Sequence, residues 1–194
     1  MDKKFYAVKS GRETGIFNSW DECLKQVEGF SGAVYKSFKT KKQAEDYLSE
    51  KEQVYADDTL YAYVDGSFDA AQNRYGCGVV LIYRGEVIKF KKSDDNETLV
   101  AMRNVAGEIT AAVTAMRYAK EKGFTKLIIH HDYAGIAKWC TGEWKRNLEG
   151  TALYKKAFDE YAKQIDIKFV KIAAHSGDKY NDMADALAKE SLNL

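Results

Sequence analysis

The spacing of hydrophobic and polar residues changes along the chain and predicts two structural units. In residues 1–48, alternating apolar positions predict short strands, since alternation places every second side chain on one face of a sheet. These strands are predicted at residues 5–8, 16–17 and 33–38. Helical spacing follows two capping-box pairs, Ser19 with Glu22 and Thr40 with Gln43. The predicted order is ββαβα, a small α+β unit.

The pattern from residue 59 onward predicts a larger α/β unit. Apolar or alternating stretches predict strands at residues 60–64, 75–83, 86–92, 126–131 and 167–172. Helical spacing predicts helices at residues 105–119, 134–140, 153–161 and 181–192. The order βββαβααβα combines an antiparallel meander with crossover helices.

A charged segment separates the two units. Residues 49–58 carry one Lys and four acidic side chains and show no periodic apolar face. This composition predicts a linker, so the predicted domains are residues 1–48 and 59–194. A flexible linker of this length spans about 17 Å on average, which would hold the second unit at high effective concentration near a ligand of the first.

Composition limits the possible classes of function. The chain has 194 residues, of which 45% are hydrophobic, and a net charge of +1; any polyanion must therefore bind to local patches. No apolar run approaches the roughly 18 residues of a membrane span, and no secretory signal is visible, so no membrane association is expected. Three separated cysteines without a CxxC pair argue against a disulfide framework or a structural zinc site, and favour a cytoplasmic location.

Four acidic residues stand out by their positions in the predicted elements. Asp65 and Asp132 each directly follow an apolar strand, and they would share one sheet edge if those strands are parallel neighbours. Glu108 lies beside Gly107 on the margin of the apolar stripe of the long helix, and Asp185 lies in the last helix. A single Asp after a strand is usually a turn or capping residue, so only the four acidic residues together indicate a functional site.

Four carboxylates in one place repel each other unless cations lie between them. Mg²⁺ and Mn²⁺ prefer oxygen ligands, and two such ions about 4 Å apart suit phosphodiester hydrolysis. His175, in the loop before the last helix, has the chemistry to protonate a leaving group or to aid product release; the alternative is a loop histidine bonded to backbone. His130 and His131 are interpreted as core residues, and Asp182 as a residue of a helix N-terminus.

Four motifs in order resemble the type 1 ribonuclease H family. They are residues 63–67 (YVDGS), 104–108 (NVAGE), 131–133 (HDY) and 175–188, in which HSG precedes NDMADALA. The resemblance implies a mixed five-stranded sheet with flanking helices. It also implies a metal-dependent endonuclease that cuts the RNA strand of RNA/DNA hybrids by a two-metal-ion mechanism and leaves 5′-phosphate and 3′-hydroxyl ends.

The same resemblance assigns roles to the acidic residues and to His175. It implies that Asp65, Glu108, Asp132 and Asp185 are metal ligands for two Mg²⁺ ions, with Mn²⁺ as a substitute, and that His175 is the auxiliary catalytic residue. Asp182 stands where the family more often has Glu; Asp185 is preferred as the ligand because it begins the Asp-x-Leu-Ala segment.

The resemblance also implies residues that bind the substrate. Asn104 matches an Asn that reads the 2′-hydroxyls of the RNA strand, and Arg103 falls where the family contacts a DNA phosphate. A segment of aromatic and basic residues resembles the part that holds the DNA strand. Its members are Trp139, Trp144, Lys145, Arg146 and Asn147. For Trp139 the alternative is a core position.

Residues 1–48 resemble the small hybrid-binding domain, also called viroplasmin-like, that precedes many such nucleases. The resemblance implies that Trp20 and Tyr35 contact DNA sugars and that Lys36 contacts a phosphate. Ser37 stands where the family has a second Lys, which removes one phosphate contact. The alternative for Trp20 is a core anchor of its helix.

The expected protein is a cytoplasmic monomer whose partner is an RNA/DNA hybrid. Three alternatives remain at this point: a non-catalytic hybrid-binding protein, an integrase-like or transposase-like nuclease acting on DNA, and a structural α/β domain. A substrate panel with and without metal distinguishes all of them.

Overall fold

The computed structural model describes residues 4–49, 56–173 and 178–194. The chain divides into two compact units, residues 1–54 and 55–194. Within the described residues, every helix is too short or too polar to span a membrane.

The first unit is a three-stranded antiparallel sheet with one helix on each face. Its elements are β1 (Phe5–Ser10), β2 (Gly15–Phe17), α1 (Trp20–Val27), β3 (Val34–Phe38) and α2 (Lys41–Ser49), and the strand order is β2-β1-β3. Alternation along β1 divides the core, because Ala7 packs with α2 and Val8 packs with α1. The predicted order ββαβα is confirmed.

Both predicted capping boxes start the helices of this unit. The Ser19 hydroxyl accepts a bond of 3.3 Å from the backbone N–H of Glu22, whose carboxylate accepts one of 3.0 Å from the N–H of Asn18. Thr40 and Gln43 exchange two reciprocal bonds of 3.2 Å. These bonds satisfy backbone donors that the first helical turn leaves unpaired.

The second unit is built on a mixed five-stranded sheet of order β6-β5-β4-β7-β8. Its strands are β4 (Leu60–Asp69), β5 (Arg74–Tyr83), β6 (Glu86–Asp94), β7 (Lys126–His131) and β8 (Asp166–Lys171). Its helices are α3 (Glu97–Val100), α4 (Asn104–Glu121), α5 (Gly135–Thr141), α6 (Glu149–Ala162) and α7 (Lys179–Glu190). The first three strands are antiparallel, whereas β4, β7 and β8 run parallel, so the implied fold is confirmed.

The central strand β4 has a helix on each face. Leu60, Ala62 and Val64 belong to a core cluster with α4, whereas Tyr61 and Tyr63 belong to a second cluster with α7. Successive side chains of a strand point to opposite faces, which explains the division. Because both faces are covered, the strand is apolar without interruption from Leu60 to Val64.

Glycines allow α4 to approach the sheet at backbone distance. A Cβ on Gly107 of α4 would lie 2.0 Å from the carbonyl oxygen of Gly76, and one on Gly66 of β4 would lie 2.1 Å from that of Asn104. Such contacts exclude any side chain at these positions. The unfavourable Gly107 of the predicted helix is therefore explained by packing against the sheet.

Two differences from the predicted elements have physical causes. Strand β4 does not end before Asp65 but continues to Asp69, because β5 pairs with it along this whole length. The hairpin turn that follows is fixed by the Asp69 carboxylate, which accepts bonds from the N–H groups of Ala71 (2.8 Å) and Gln72 (3.2 Å). Helix α3 has only four residues, too few for a periodic apolar stripe, and the sequence pattern did not predict it.

Candidate active site

Parallel pairing places Asp65 and Asp132 beside each other. Tyr63 of β4 is in register with His130 of β7, and each Asp follows two residues later on its own chain segment. The same sheet edge therefore holds both carboxylates, as the sequence predicted. Asp65 is in the alternating series of Tyr63, so its side chain leaves the sheet on the face covered by α7.

Glu108 completes a group of three carboxylates. It lies in the first turns of α4, is 3% exposed, and is carried to the sheet by the close contact of its neighbour Gly107. Each of Asp65, Glu108 and Asp132 contributes one carboxylate oxygen, and these three atoms all lie within 4.8 Å of one another. A strand, a helix and the segment after a second strand thus contribute one ligand atom each.

The electrostatics of this group favour a bound cation. Burial, together with the charges of Asp132 and Asp185, raises the pKa of Asp65 to about 7 although the Gly66 N–H donates to its carboxylate at 2.7 Å. Burial and the charges of Asp132 and Asp65 raise the pKa of Glu108 to about 9. The cation-free group thus disfavours full ionisation, and a divalent ion removes that penalty.

The donor set fits magnesium or manganese. All three atoms are carboxylate oxygens, the ligands that hard divalent ions prefer. The Oε2 atom of Glu108 is buried and has no hydrogen-bond partner among the described residues, which leaves an acceptor available for a metal or its water. His130 and His131 are 2% and 1% exposed and pack in the core, as interpreted from the sequence.

Asp185 lies next to this group rather than within its 4.8 Å limit. Its charge acts on Asp65, which places it near the site, and it is held by Lys189, whose Nζ donates to Oδ2 at 2.7 Å. Asp182 is exposed in the first turn of α7. Of these two acids, Asp185 is therefore the one that the structure brings toward the cluster. His175 lies outside the described residues.

The residues expected to read the RNA strand lie at the start of α4. Asn104 is the first residue of the helix, is exposed, and stands one turn before Glu108. Arg103 precedes it with a φ of +58°, and its guanidinium lies 5.4 Å from the ring centre of Phe68 on β4. Asn104 therefore stands on the face of α4 that carries Glu108, and the binding roles of Asn104 and Arg103 stay predictions.

An aromatic cluster continues from the carboxylates along α5. The rings of Tyr133, Trp139 and Trp144 lie 5.7 to 6.1 Å apart in all three pairings. Trp139 is 8% exposed and belongs to the core, the alternative left open above, whereas Trp144 is 36% exposed. The face available to a nucleic acid is therefore chiefly that of Trp144.

The basic residues of this segment differ in what they do. Arg146 donates through Nη1 to the carbonyl oxygens of Trp139 (3.2 Å) and Trp144 (3.3 Å), which fixes the loop between α5 and α6. Lys145 is exposed, and Lys138 lies 5.6 Å from the Trp144 ring centre. Arg146 thus positions the aromatic residues, and the exposed Lys145 supplies positive charge near them, whereas Lys138 is half-buried and pairs with Glu143 at 3.5 Å.

Two residues of the site were not singled out from the sequence as site residues. Tyr133 lies near Glu108, since burial and the Glu108 charge raise the tyrosine pKa. Lys189 pairs with Asp185. The spacing of Asp185 and Lys189, four residues apart in a helix, was the available signal for the second.

The first unit exposes an aromatic row on one face. The ring of Trp20 lies 5.7 Å from those of Tyr6 and Tyr35, and Trp20 and Tyr35 are 41% and 44% exposed. Trp20 is thus not a buried anchor. Lys36 follows Tyr35 on β3, so its side chain leaves from the opposite face of this edge strand, whereas Ser37 shares the face of Tyr35.

Comparison with known proteins gives a consistent family assignment. The family described as the ribonuclease H1 N-terminal domain matches residues 4–48, and the RNase H family matches residues 57–193. Mouse ribonuclease H1 is 26% identical to this chain over an alignment of 260 residues, gaps included. The alignment covers 96% of this chain and 88% of the relative.

Solved structures agree with the fold of the second unit. The crystal structure of RNase H1 from Halobacterium salinarum matches with a TM-score of 0.59 and 23% identity, covering 70% of this chain and 98% of that one. LC11-RNase H1 in complex with an RNA/DNA hybrid matches with a TM-score of 0.55 and 14% identity, covering 69% and 99%. Because a family match over more than half of the chain accompanies this fold, the chain belongs to the ribonuclease H family, as a ribonuclease H enzyme of type 1 with the N-terminal domain of ribonuclease H1.

Proposed function

We propose that this protein hydrolyses the RNA strand of RNA/DNA hybrids with the help of two divalent metal ions, and leaves 5′-phosphate and 3′-hydroxyl ends. The observation that carries the proposal is the approach of the Asp65, Glu108 and Asp132 oxygens to within 4.8 Å of one another. With Glu108 buried and the two aspartates half-buried, this approach is costly unless cations are part of the working enzyme.

The proposed metal ligands are these three residues together with Asp185. The chemistry that bound Mg²⁺ or Mn²⁺ supplies is stabilisation of the attacking and leaving oxygens in an in-line displacement. The chain itself holds the ligands in place through β4, α4 and the end of β7, elements that meet at backbone distance. His175 is proposed, on the family resemblance, to assist proton transfer or product release.

Selectivity for a hybrid is proposed to come from two sets of residues near different carboxylates. Asn104, exposed at the start of α4, is suited to hydrogen-bond the 2′-hydroxyls that distinguish RNA from DNA. Trp144 offers an exposed ring for a sugar of the DNA strand, and Lys145 offers a charge for a phosphate. Asn104 stands one helical turn before Glu108, whereas Trp144 contacts Tyr133, the residue after Asp132, so the two sets adjoin different carboxylates.

The first unit is proposed to add affinity for the same substrate. Its exposed Trp20 and Tyr35 rings are suited to pack on sugars, as the resemblance implies. Lys36 starts from the opposite face of an edge strand, so its phosphate contact requires the long side chain to reach around that edge. The structure of LC11-RNase H1 with an RNA/DNA hybrid, which aligns with 69% of this chain, supports the hybrid as the ligand of the second unit.

The test is a cleavage assay with the purified full chain. RNA/DNA hybrid with end-labelled RNA is incubated with Mg²⁺, Mn²⁺ or EDTA, beside duplex DNA and duplex RNA. We expect metal-dependent cuts confined to the RNA strand of the hybrid. Products are then treated with an exonuclease that requires a 5′-phosphate, and the downstream fragments should be degraded without prior kinase treatment.

Each other outcome identifies an alternative. Binding of the hybrid without cutting in either metal indicates a non-catalytic hybrid-binding protein. Cleavage of duplex DNA indicates an integrase-like nuclease. Cutting that persists in EDTA contradicts the assignment of the carboxylates as metal ligands.

A further inference from the structure

Lys189 is a cation that pairs with one of the four acidic residues of the site and acts on a second. Its Nζ lies 2.7 Å from Oδ2 of Asp185, one helical turn earlier on α7. The Lys189 side chain is 49% exposed and the Asp185 side chain is 33% exposed, so the pair lies at the rim of the site. The ammonium therefore donates a hydrogen bond to a carboxylate that the proposed function assigns to a metal ion.

The influence of Lys189 extends beyond its own partner. The lysine lowers the pKa of Asp65, opposing the effects of burial and of the charges of Asp132 and Asp185. Lys189 thus lies within electrostatic reach of two of the four acidic residues. In the cation-free protein it partly neutralises them, and an incoming divalent ion meets both its repulsion and its hold on Asp185.

We propose that Lys189 is a positioning residue that weakens metal binding by competing for Asp185. The inference rests on the proposed function, namely that these carboxylates bind divalent ions. A metal ion held by Asp185 would displace the ammonium, which is 49% exposed at the rim. Binding of the metal ion would therefore require the Lys189–Asp185 ion pair to break.

A second ion pair on the same helix provides a matched control. Lys91 on β6 lies 3.1 Å from Glu190, the residue after Lys189, and its side chain is also 49% exposed. Removing the Lys91 charge therefore deletes one lysine and one ion pair of α7 while leaving the Lys189–Asp185 pair in place. A general effect of net charge or helix stability would appear in both variants, and competition for Asp185 only in one.

The experiment measures Mn²⁺ binding to the full chain without nucleic acid, by the electron paramagnetic resonance signal of free Mn²⁺. Only the binding that Asp132→Asn removes is assigned to the site. We expect Lys189→Met to bind Mn²⁺ about fivefold more tightly than the natural chain at low salt, the coupling expected for one nearby charge at a protein surface. Lys189→Arg and Lys91→Met should stay within about twofold of it. In 1 M KCl, where charges are screened over about 3 Å, the effect of Lys189→Met should largely disappear.

The outcomes separate this inference from the proposed function. Unchanged or weaker Mn²⁺ binding by Lys189→Met, with normal binding by the natural chain, overturns the role of Lys189 and leaves the metal site intact. An equal gain in Lys91→Met also overturns it. If the natural chain shows no Mn²⁺ binding that Asp132→Asn removes, both the role of Lys189 and the proposed metal site are overturned.

Discussion

The two units of the chain present their functional groups in opposite ways. In the unit of residues 1–54, the aromatic rings expected to bind substrate are about two-fifths exposed, above two small clusters of buried residues. In the unit of residues 55–194, Glu108 is 3% exposed, and three carboxylates converge above a much larger core. One unit carries an exposed apolar surface, and the other carries partly buried charge.

This difference relates the size of each unit to its task. An exposed ring costs a folded domain little, so a sheet of three strands and two helices suffices to carry one. Converging carboxylates destabilise the protein that holds them and need a scaffold whose other contacts outweigh that penalty. In the second unit, helices on both faces of β4 supply those contacts.

The largest expected effect is the loss of activity on replacing one carboxylate. Asp132→Asn keeps the size of the side chain but removes a charge that raises the pKa of both Asp65 and Glu108. We expect cleavage of the hybrid to fall by at least about 10³-fold. We also expect the free energy of unfolding in EDTA to rise by about 1 kcal/mol because the repulsion is relieved. Rates and urea denaturation measure the two effects.

Asp166→Asn is the matched control for that substitution. Asp166 lies at the other end of the parallel strands, in register with Lys126, and its side chain is 58% exposed. It should change neither activity nor stability appreciably. If Asp132→Asn retains full activity, the assignment of this carboxylate is wrong; if it lowers stability in EDTA, the carboxylates do not oppose folding as argued.

A smaller effect is expected from the backbone contact that positions Glu108. Gly107→Ala would bring a Cβ to 2.0 Å from the Gly76 carbonyl oxygen and 2.8 Å from Cα of Gly66, and neither backbone atom can move alone. We expect a loss of about 2–3 kcal/mol in the free energy of unfolding, although Ala itself favours helix by about 1 kcal/mol. Denaturation curves measure this loss, and activity should fall with it because Glu108 is displaced.

Gly150→Ala tests whether that loss depends on backbone contact. Gly150 is also helical, but a Cβ there would meet the ends of two flexible side chains, Leu99 at 2.7 Å and Met102 at 2.8 Å. Those side chains can change rotamer, so we expect a change within about 1 kcal/mol. If Gly107→Ala and Gly150→Ala lose the same free energy of unfolding, the backbone contact between α4 and the sheet does not determine the stability of the second unit.

Local patterns were sufficient to predict the parts of the site that depend on single elements. Asp65 and Asp132 each directly follow an apolar run, and the parallel pairing of those runs was enough to bring these residues together, although β4 itself continues past Asp65. The stripe that predicted α4 also placed Glu108 on its margin. These features are encoded in neighbouring residues, which a single sequence shows directly.

The features that were missed depend on pairing or on direction. Strand β4 continues to Asp69 only because β5 pairs with it, a contact between segments that local spacing does not encode. Tyr35 and Lys36 are both predicted to contact the substrate, and their roles stay predictions; what the structure adds is that they leave β3 on opposite faces, a rule that was available from the sequence. The role of Lys189 emerged only once the proximity of Asp185 to Asp65 was known.

The smallest expected effect tests the exposed side of the comparison. Trp20→Ala removes a ring that contacts Tyr6 and Tyr35 but is 41% exposed, so it should weaken hybrid binding without unfolding the unit. Stacking on a nucleic acid contributes about 1–3 kcal/mol per ring, which predicts a KM about tenfold higher and an unchanged kcat. Val34→Ala, an exposed apolar residue on the opposite face of β3, should leave both constants unchanged. A fall in kcat with constant KM would mean that the first unit acts on the chemistry of the second, and that the division between an exposed binding surface and a buried catalytic centre is wrong.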